Sequence, residues 1–568
     1  MRLQSGSFSI KLTVYSVPQE YALKVLRYSQ RSVVETKAVS HAFADLALFL
    51  WYPYANIHRE IHGTNSNVSR KAHQNPFVIS YELRPGRRLS VTPLSLPLQR
   101  PCLNQKETLE PNSLLFLRGY PSAQWLNELG ARYDINPRFF LHHLQFLSTA
   151  RESGQRTSFT NPSTQQTVFR LSFMTIGEAS TGVTIRDQRN EAGRKMSAYL
   201  HKLRMGTGWK PGDSIVRTYD ALTERIFSIE QSATVYLARS QKHEHWTGGS
   251  LFKGIDNNTL TSNTVIVWLD SGEDLCESPI GPWLKSAEAK FHTYFRHIYQ
   301  HEENIATLAA PDATSSTSGL RDSQDHSGPF QSIRLLPLSY GNSLDPSITC
   351  VDPFYALSEV FSFAAASHIE FLNTIASILD FSITELPDPE ADTTTSFQET
   401  LVHCQRILEW HGHKVSEIAD MIKNRELLGW PTSHHDTAVK SALFLERDFD
   451  YVLQHSRALW EKCQRELTAI TNHANFTEAR RGIEQGKRVF RITLLATIYV
   501  PLSFSCAMFG MNFVQFDRYW HGYVVWALTT CPVFFLTVLI MDLDKGKARR
   551  QLKRMFEAVV GWYRDIKD

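Results

Sequence analysis

Gly510, Met511 and Asn512 stand where an uncharged apolar run, residues 492–510 (ITLLATIYVPLSFSCAMFG), gives way to polar sequence. An asparagine amide and the carbonyls freed at a helix end are neutral oxygen acceptors. Repeated by symmetry around an axis, they form a ring that can hold a hydrated cation without stripping its water. Glycine at 510 lets the chain leave a helix and turn. A plainer reading of the same residues is a helix end, with Asn512 as cap and Gly510 as terminator.

Other groupings are weaker. His243-Glu244-His245, His411-Gly412-His413 and His434-His435-Asp436 could each supply a pair of metal ligands. None has a third ligand at a telling spacing, so they read as solvated or structural histidines. Gly206-Thr207-Gly208 lacks the strand and helix setting of a nucleotide loop, and no GxxxxGK[ST] segment is present. No Ser/His/Asp or Cys/His set can be argued from residue order. The chain is therefore read as a non-enzyme with no cofactor.

The elements that would position Asn512 are two candidate membrane spans, residues 492–510 and 523–541. Neither contains a charged residue. Each is close to the ~20 residues needed to cross a bilayer, and neither shows a polar stripe. Arg480, Arg481, Lys487, Arg488 and Arg491 precede the first, and Lys545, Lys547, Arg549, Arg550, Lys553 and Arg554 follow the second. The loop between them, 511–522, carries only Asp517 and Arg518 as full charges. The positive-inside bias places both termini in the cytoplasm and the short loop outside. The basic tail is expected to lie against anionic headgroups of the bilayer.

Residues 496–513, ATIYVPLSFSCAMFGMNF, resemble the pore helix and outer mouth of CorA-type magnesium channels. The signature of that family is Gly-Met-Asn directly after the first of two C-terminal helices. Ala496-Thr497-Ile498, Pro501-Leu502 and Phe513 also fall where the family usually has them. Residues 117–144 resemble a helical segment of fungal CorA-like proteins. The resemblance implies a homopentamer that passes a divalent cation, magnesium foremost, inward across the plasma membrane. It makes Asn512 the metal-contacting selectivity ring and Ser503, Val500, Ile492, Val489 and Gly486 the pore lining. Ser503 stands where the family often has threonine, and the three apolar residues would form a neck that gates by dewetting. Gly486 departs from a polar residue seen in some family pores, and Gly482 lies nearby. The loop reads FVQFDRYW instead of Met-Pro-Glu-Leu, leaving Asp517 as its one acid for attracting cations, with Arg518 opposing it. Membrane potential supplies the drive, about 2.3 kcal/mol per charge per 100 mV and twice that for a divalent ion. The alternative is a membrane-tethered regulatory or interaction protein that keeps the hairpin without conducting.

The rest of the 568 residues reads as a globular α+β protein, with 42% hydrophobic and 21% charged residues. A net charge of +3 argues against a nucleic-acid partner. Seven scattered cysteines without a CxxC pair argue for a reducing compartment, and the N-terminus has no secretory signal. The expected order is a cytoplasmic α/β domain (1–305), a flexible linker or loop (306–345), and long cytoplasmic helices forming a coiled-coil stalk (353–491). The first span (492–510), outer loop (511–522), second span (523–541) and basic cytoplasmic tail (542–568) follow. Strands are predicted at 167–175, 233–238 and 264–269, and a helix at 124–148 with a break at Asn136-Pro137. Further helices are predicted at 354–379 and 397–428. From 436 to 491 there is no proline, and Phe449, Val452, Leu459, Cys463, Leu467 and Ile470 recur at helical spacing. A continuous helix there would run on the order of 80 Å straight into the first span, linking the cytoplasmic part to the pore mechanically.

Overall fold

A computed structural model describes residues 16–32, 37–55, 77–84, 91–96, 112–145, 168–178, 184–206, 208–239, 263–275, 278–284, 294–295, 332–338, 340–341, 343–384 and 393–510, with residues 524, 526, 528, 530–533 and 535. The chain divides into two compact units, Met1–Leu467 and Thr468–Asp568.

In chain order the elements are α1 (Val17–Ser32), α2 (Lys37–Ala55), β1 (Val78–Leu83), β2 (Val91–Leu94), β3 (Asn112–Arg118), α3 (Ala123–Arg132), α4 (Pro137–His143), β4 (Val168–Glu178) and α5 (Ile185–Met205). Then come β5 (Thr218–Ala221), β6 (Ile226–Arg239), β7 (Asn263–Leu269) and β8 (Tyr294–Phe295). Three single turns, α6 (Ser332–Leu335), α7 (Pro346–Thr349) and α8 (Pro353–Ala356), lead into α9 (Ser358–Thr384), α10 (Thr393–Lys423) and α11 (Asp436–Gly510).

The eight strands form one sheet in the order β2-β1-β3-β7-β6-β4-β8, with β5 paired to β6. Every pairing is antiparallel except β3 with β7. Alternation along the strands sends side chains to two faces. On one, Leu115, Leu117, Ile266 and Trp268 pack with residues of α1 to α5 such as Tyr21, Leu46, Leu126, Phe140 and Tyr199. On the other, Phe116 and Tyr81 meet Tyr340, while Phe169 and Phe173 meet Phe361 and Phe363 of α9. The sheet is thus covered on both sides, as burial of two apolar faces requires.

The predicted strands at 233–238 and 264–269 fall inside β6 and β7, the one at 167–175 coincides with β4 from Val168 on, and the predicted helix splits at Asn136-Pro137 into α3 and α4. Asn136 accepts a hydrogen bond from the Arg138 amide, and Pro137 occupies the first turn, where its missing N–H costs nothing. The stretch expected as a linker or loop ends in described residues. Ile333, Leu336 and Tyr340 are buried in the first unit, with Tyr340 against Tyr81 and Phe116. The polar composition that suggested a linker belongs to residues 310–329, outside the described residues. Helices α9 and α10 also pack within the first unit, on β4 of the sheet. The long helix expected from 436 into the first span is present as α11.

Candidate functional site

Among the described residues, α11 is the one helix long and apolar enough to cross a membrane. Its apolar end is open in a single copy of the chain: Val489, Ile492 and Val500 are 62%, 67% and 63% exposed. Its hydroxyls are turned back onto their own helix. Thr493 donates to the Val489 carbonyl at 2.8 Å, Thr497 to Thr493 at 2.7 Å, Ser503 to Val500 at 2.9 Å and Ser505 to Pro501 at 2.7 Å. Back-bonding of this kind satisfies a serine or threonine where no water is at hand.

At 3.6 residues per turn, Gly486, Val489, Ile492, Val500, Ser503 and Gly510 fall within an arc of about 120°. The charged residues between 480 and 491 (Arg480, Arg481, Glu484, Lys487, Arg488 and Arg491) fall in a separate arc of about 120° on the opposite side. The candidate pore positions therefore share one uncharged face, set by spacing alone. A Cβ added at Gly482 or Gly486 would meet nothing within 4 Å. Gly510 is the last residue of α11. Met511, Asn512 and Asp517 lie outside the described residues, as does most of 523–541. The described positions between 524 and 535 are helical.

The first unit holds a second concentration of chemistry, in its core. Asp270, just beyond β7, accepts from Arg217 Nε and Nη2 at 2.7 Å each and from the Ser232 amide at 2.6 Å. His143 Nε2 lies 3.2 Å from the same carboxylate, its Nδ1 lies 3.0 Å from Thr234 Oγ1, and its ring stacks on Trp268. Burial opposes charge on Asp270, but Arg217 and His143 overcome it and hold the carboxyl well below its ordinary range. Burial lowers His143 to about 4 despite the carboxylate beside it. All three are enclosed, so the cluster ties strands together and offers no substrate access.

A further network joins the sheet to the helices behind it. Glu230 of β6 pairs with Lys414 of α10 and lies 3.1 Å from Thr218 Oγ1. Beside it His368 of α9 and His411 of α10 face each other, Nδ1 to Nε2, at 3.0 Å. His411 is buried, whereas His413, His434 and His435 are exposed, so these pairs divide between structural and solvated roles. His243-Glu244-His245 lies outside the described residues. No group of three or more His, Cys, Asp or Glu side chains is placed to hold a metal among the described residues. The sequence reading missed His368 and His143. The one local signal for His368 is a lone histidine inside the apolar run FSFAAASHIEFL.

No known protein family matches the chain by its sequence profile, and no curated protein matches it by sequence.

Proposed function

We propose that the chain is a divalent-cation channel of the membrane, taking magnesium or a related ion into the cytoplasm as a homopentamer. The observation that carries the reading is the end of α11. Its last 19 residues, 492–510, carry no charge, leave their apolar side chains open and back-bond their hydroxyls, and they run into Gly510-Met511-Asn512 with the candidate pore positions on one face. In this reading five copies of Asn512 form the outer ring that recognises the hydrated ion, and Ser503 offers a hydroxyl below it. Val500, Ile492 and Val489 form the apolar neck. Asp517 gathers cations at the mouth, and the basic residues of the opposite arc face the cytoplasmic headgroups.

A second reading, a membrane-tethered regulatory protein without conduction, is favoured by Gly482 and Gly486. Two glycines about one helical turn apart weaken the stretch just before the candidate span. Magnesium influx into liposomes holding the purified chain, with a negative interior potential, separates the two. Influx that collapses in Asn512→Ala supports the channel. A correctly assembled oligomer that passes neither magnesium, cobalt, nickel nor zinc overturns it and leaves the regulatory reading.

A further inference from the structure

Four side chains from four elements form one line of polar contacts inside the first unit. Ser172 Oγ of β4 lies 3.4 Å from His368 Nε2, and His368 Nδ1 lies 3.0 Å from His411 Nε2. His411 Nδ1 then lies 3.1 Å from Ser456 Oγ of α11. None of the four is more than 5% exposed. The line bonds β4 of the sheet to α9, α9 to α10, and α10 to α11.

Each ring-to-ring contact needs one N–H and one bare nitrogen. Two neutral imidazoles meet that condition. A single extra proton is also tolerated, because it can sit on an outer nitrogen, His368 Nε2 or His411 Nδ1, where a serine oxygen accepts it. A second proton cannot be placed. Both inner nitrogens would then carry hydrogens across 3.0 Å, and two cations would face each other in a buried site.

The surroundings do not offset that charge. Glu230 of β6 is the acid that faces His368, and it is already paired with Lys414 of α10, whose own positive charge bears on both rings. β4 and α11 face the pair with the hydroxyls of Ser172 and Ser456, and the ring of Phe371 of α9 packs on His411. Burial is the largest cause holding both histidines below the ordinary 6.5, with His368 at about 4 and His411 well below 6.5.

We propose that His368 and His411 are an acid-sensitive clasp that holds α9, α10 and the Ser456 segment of α11 together and opens on double protonation. The open form binds the protons that the closed form rejects. The clasp is therefore closed above about 6.5 and loses its hold as pH falls from there toward 4. Each proton taken up multiplies the open population about tenfold per pH unit within that window. The inference concerns the first unit alone and stands whether or not the chain conducts.

Two buried thiols report on it. Cys404 lies seven residues before His411 on α10, and Cys463 seven after Ser456 on α11, two helical turns away in each case. Cys350, which follows α7 and lies on none of the three clasped helices, is a buried reference. The full chain in detergent is treated with 4,4′-dithiodipyridine, which reacts with thiols in acid, near pH 7.5 and near pH 5, and labelled peptides are read by mass spectrometry. Cys404 and Cys463 are expected to be protected at the higher pH and labelled more than about tenfold faster at the lower, relative to Cys350. In His368→Gln, with one titratable ring left, the slope of log rate against pH is expected to fall from about two toward one. Protection persisting near pH 5, Cys350 opening in step with the other two, or an unchanged slope in His368→Gln would each overturn the clasp.

Discussion

Arg217 and Asp270 meet as a two-pronged ion pair in the core, with Nε and Nη2 each 2.7 Å from a carboxylate oxygen. Arg217 Nη2 also donates to the His143 carbonyl at 2.8 Å, so the pair joins the end of α4 to the end of β7. Because neither side chain has water to fall back on, the two depend on each other.

Asp270→Ala is expected to lower the unfolding free energy of the first unit by about 3–5 kcal/mol, since it strands a buried guanidinium. Urea titration of the purified chain measures this. Asp270 is held below its ordinary 3.8, so its stabilisation is complete above that value and fades as pH falls through the depressed one. Wild type and Asp270→Asn should accordingly converge only in strong acid. A variant as stable as wild type near neutral pH would show that the pair is dispensable.

Asp220 runs the other way. Burial, with Glu230 nearby, raises it to about 6, and Lys414, Arg406 and Arg189 only partly compensate. His403 lies 3.8 Å away but is held near 3 by burial and by Arg189 and Arg406, so it carries no charge to help. A carboxyl raised in the folded state destabilises it above that value and ceases to do so below the unfolded value of 3.8. Asp220→Asn is expected to stabilise the unit by about 1–2 kcal/mol near pH 7.5, with the gain vanishing toward pH 4. A melting temperature that drops near neutral pH would refute this.

Two glycines make a matched pair of opposite sign. A Cβ at Gly272 would collide with the Gly212 carbonyl, a backbone group that cannot rotate away, whereas one at Gly193 in α5 meets nothing within 4 Å. Gly272→Ala is expected to cost several kcal/mol or to prevent folding. Gly193→Ala should add about 0.5–1 kcal/mol. Expression yield and urea midpoint distinguish them, and equal behaviour would mean that the Gly212–Gly272 approach is looser than described.

In α11, Gly482→Ala and Gly486→Ala each fill open space on an exposed helix. Each is expected to stiffen the helix by about 0.5–1 kcal/mol, seen as a rise in thermal midpoint of far-ultraviolet circular dichroism in detergent. If the glycines serve as a flexible joint below the proposed pore, magnesium influx changes in the double variant. If they do not, influx is untouched while the melt still shifts.

How far the sequence revealed this architecture depended on whether the cue was local. The runs VFRLSFMT and TVIVWL are dense in β-branched and aromatic residues, and both are strands. Asn136-Pro137 marks a helix start through groups one and two residues away, and the split is where it was expected. The unbroken spacing from Phe449 onward carries α11 into the apolar run. β1, β3 and α5 lie in a stretch readable only as mixed α/β, and SLLFLR is too short for its apolar run to separate strand from helix. The His368–His411 contact was beyond reach for a different reason. Its partners are 43 residues apart on different helices, and only packing brings them within bonding distance. Burial of Ile333 and Tyr340 was hidden in the same way, since two or three apolar residues after a polar stretch announce nothing about the sheet they cover.

The central pairing of β3 with β7 bears on how the chain is made. About 150 residues separate the two strands, and β7 is the neighbour that β3 needs on its open edge. During synthesis at roughly 5–20 residues per second, that edge waits on the order of ten to thirty seconds for its partner. An unpaired strand bearing Leu114, Leu115, Phe116 and Leu117 is a ready template for a neighbouring chain. Nascent-chain chaperones would have their greatest effect on yield in that interval.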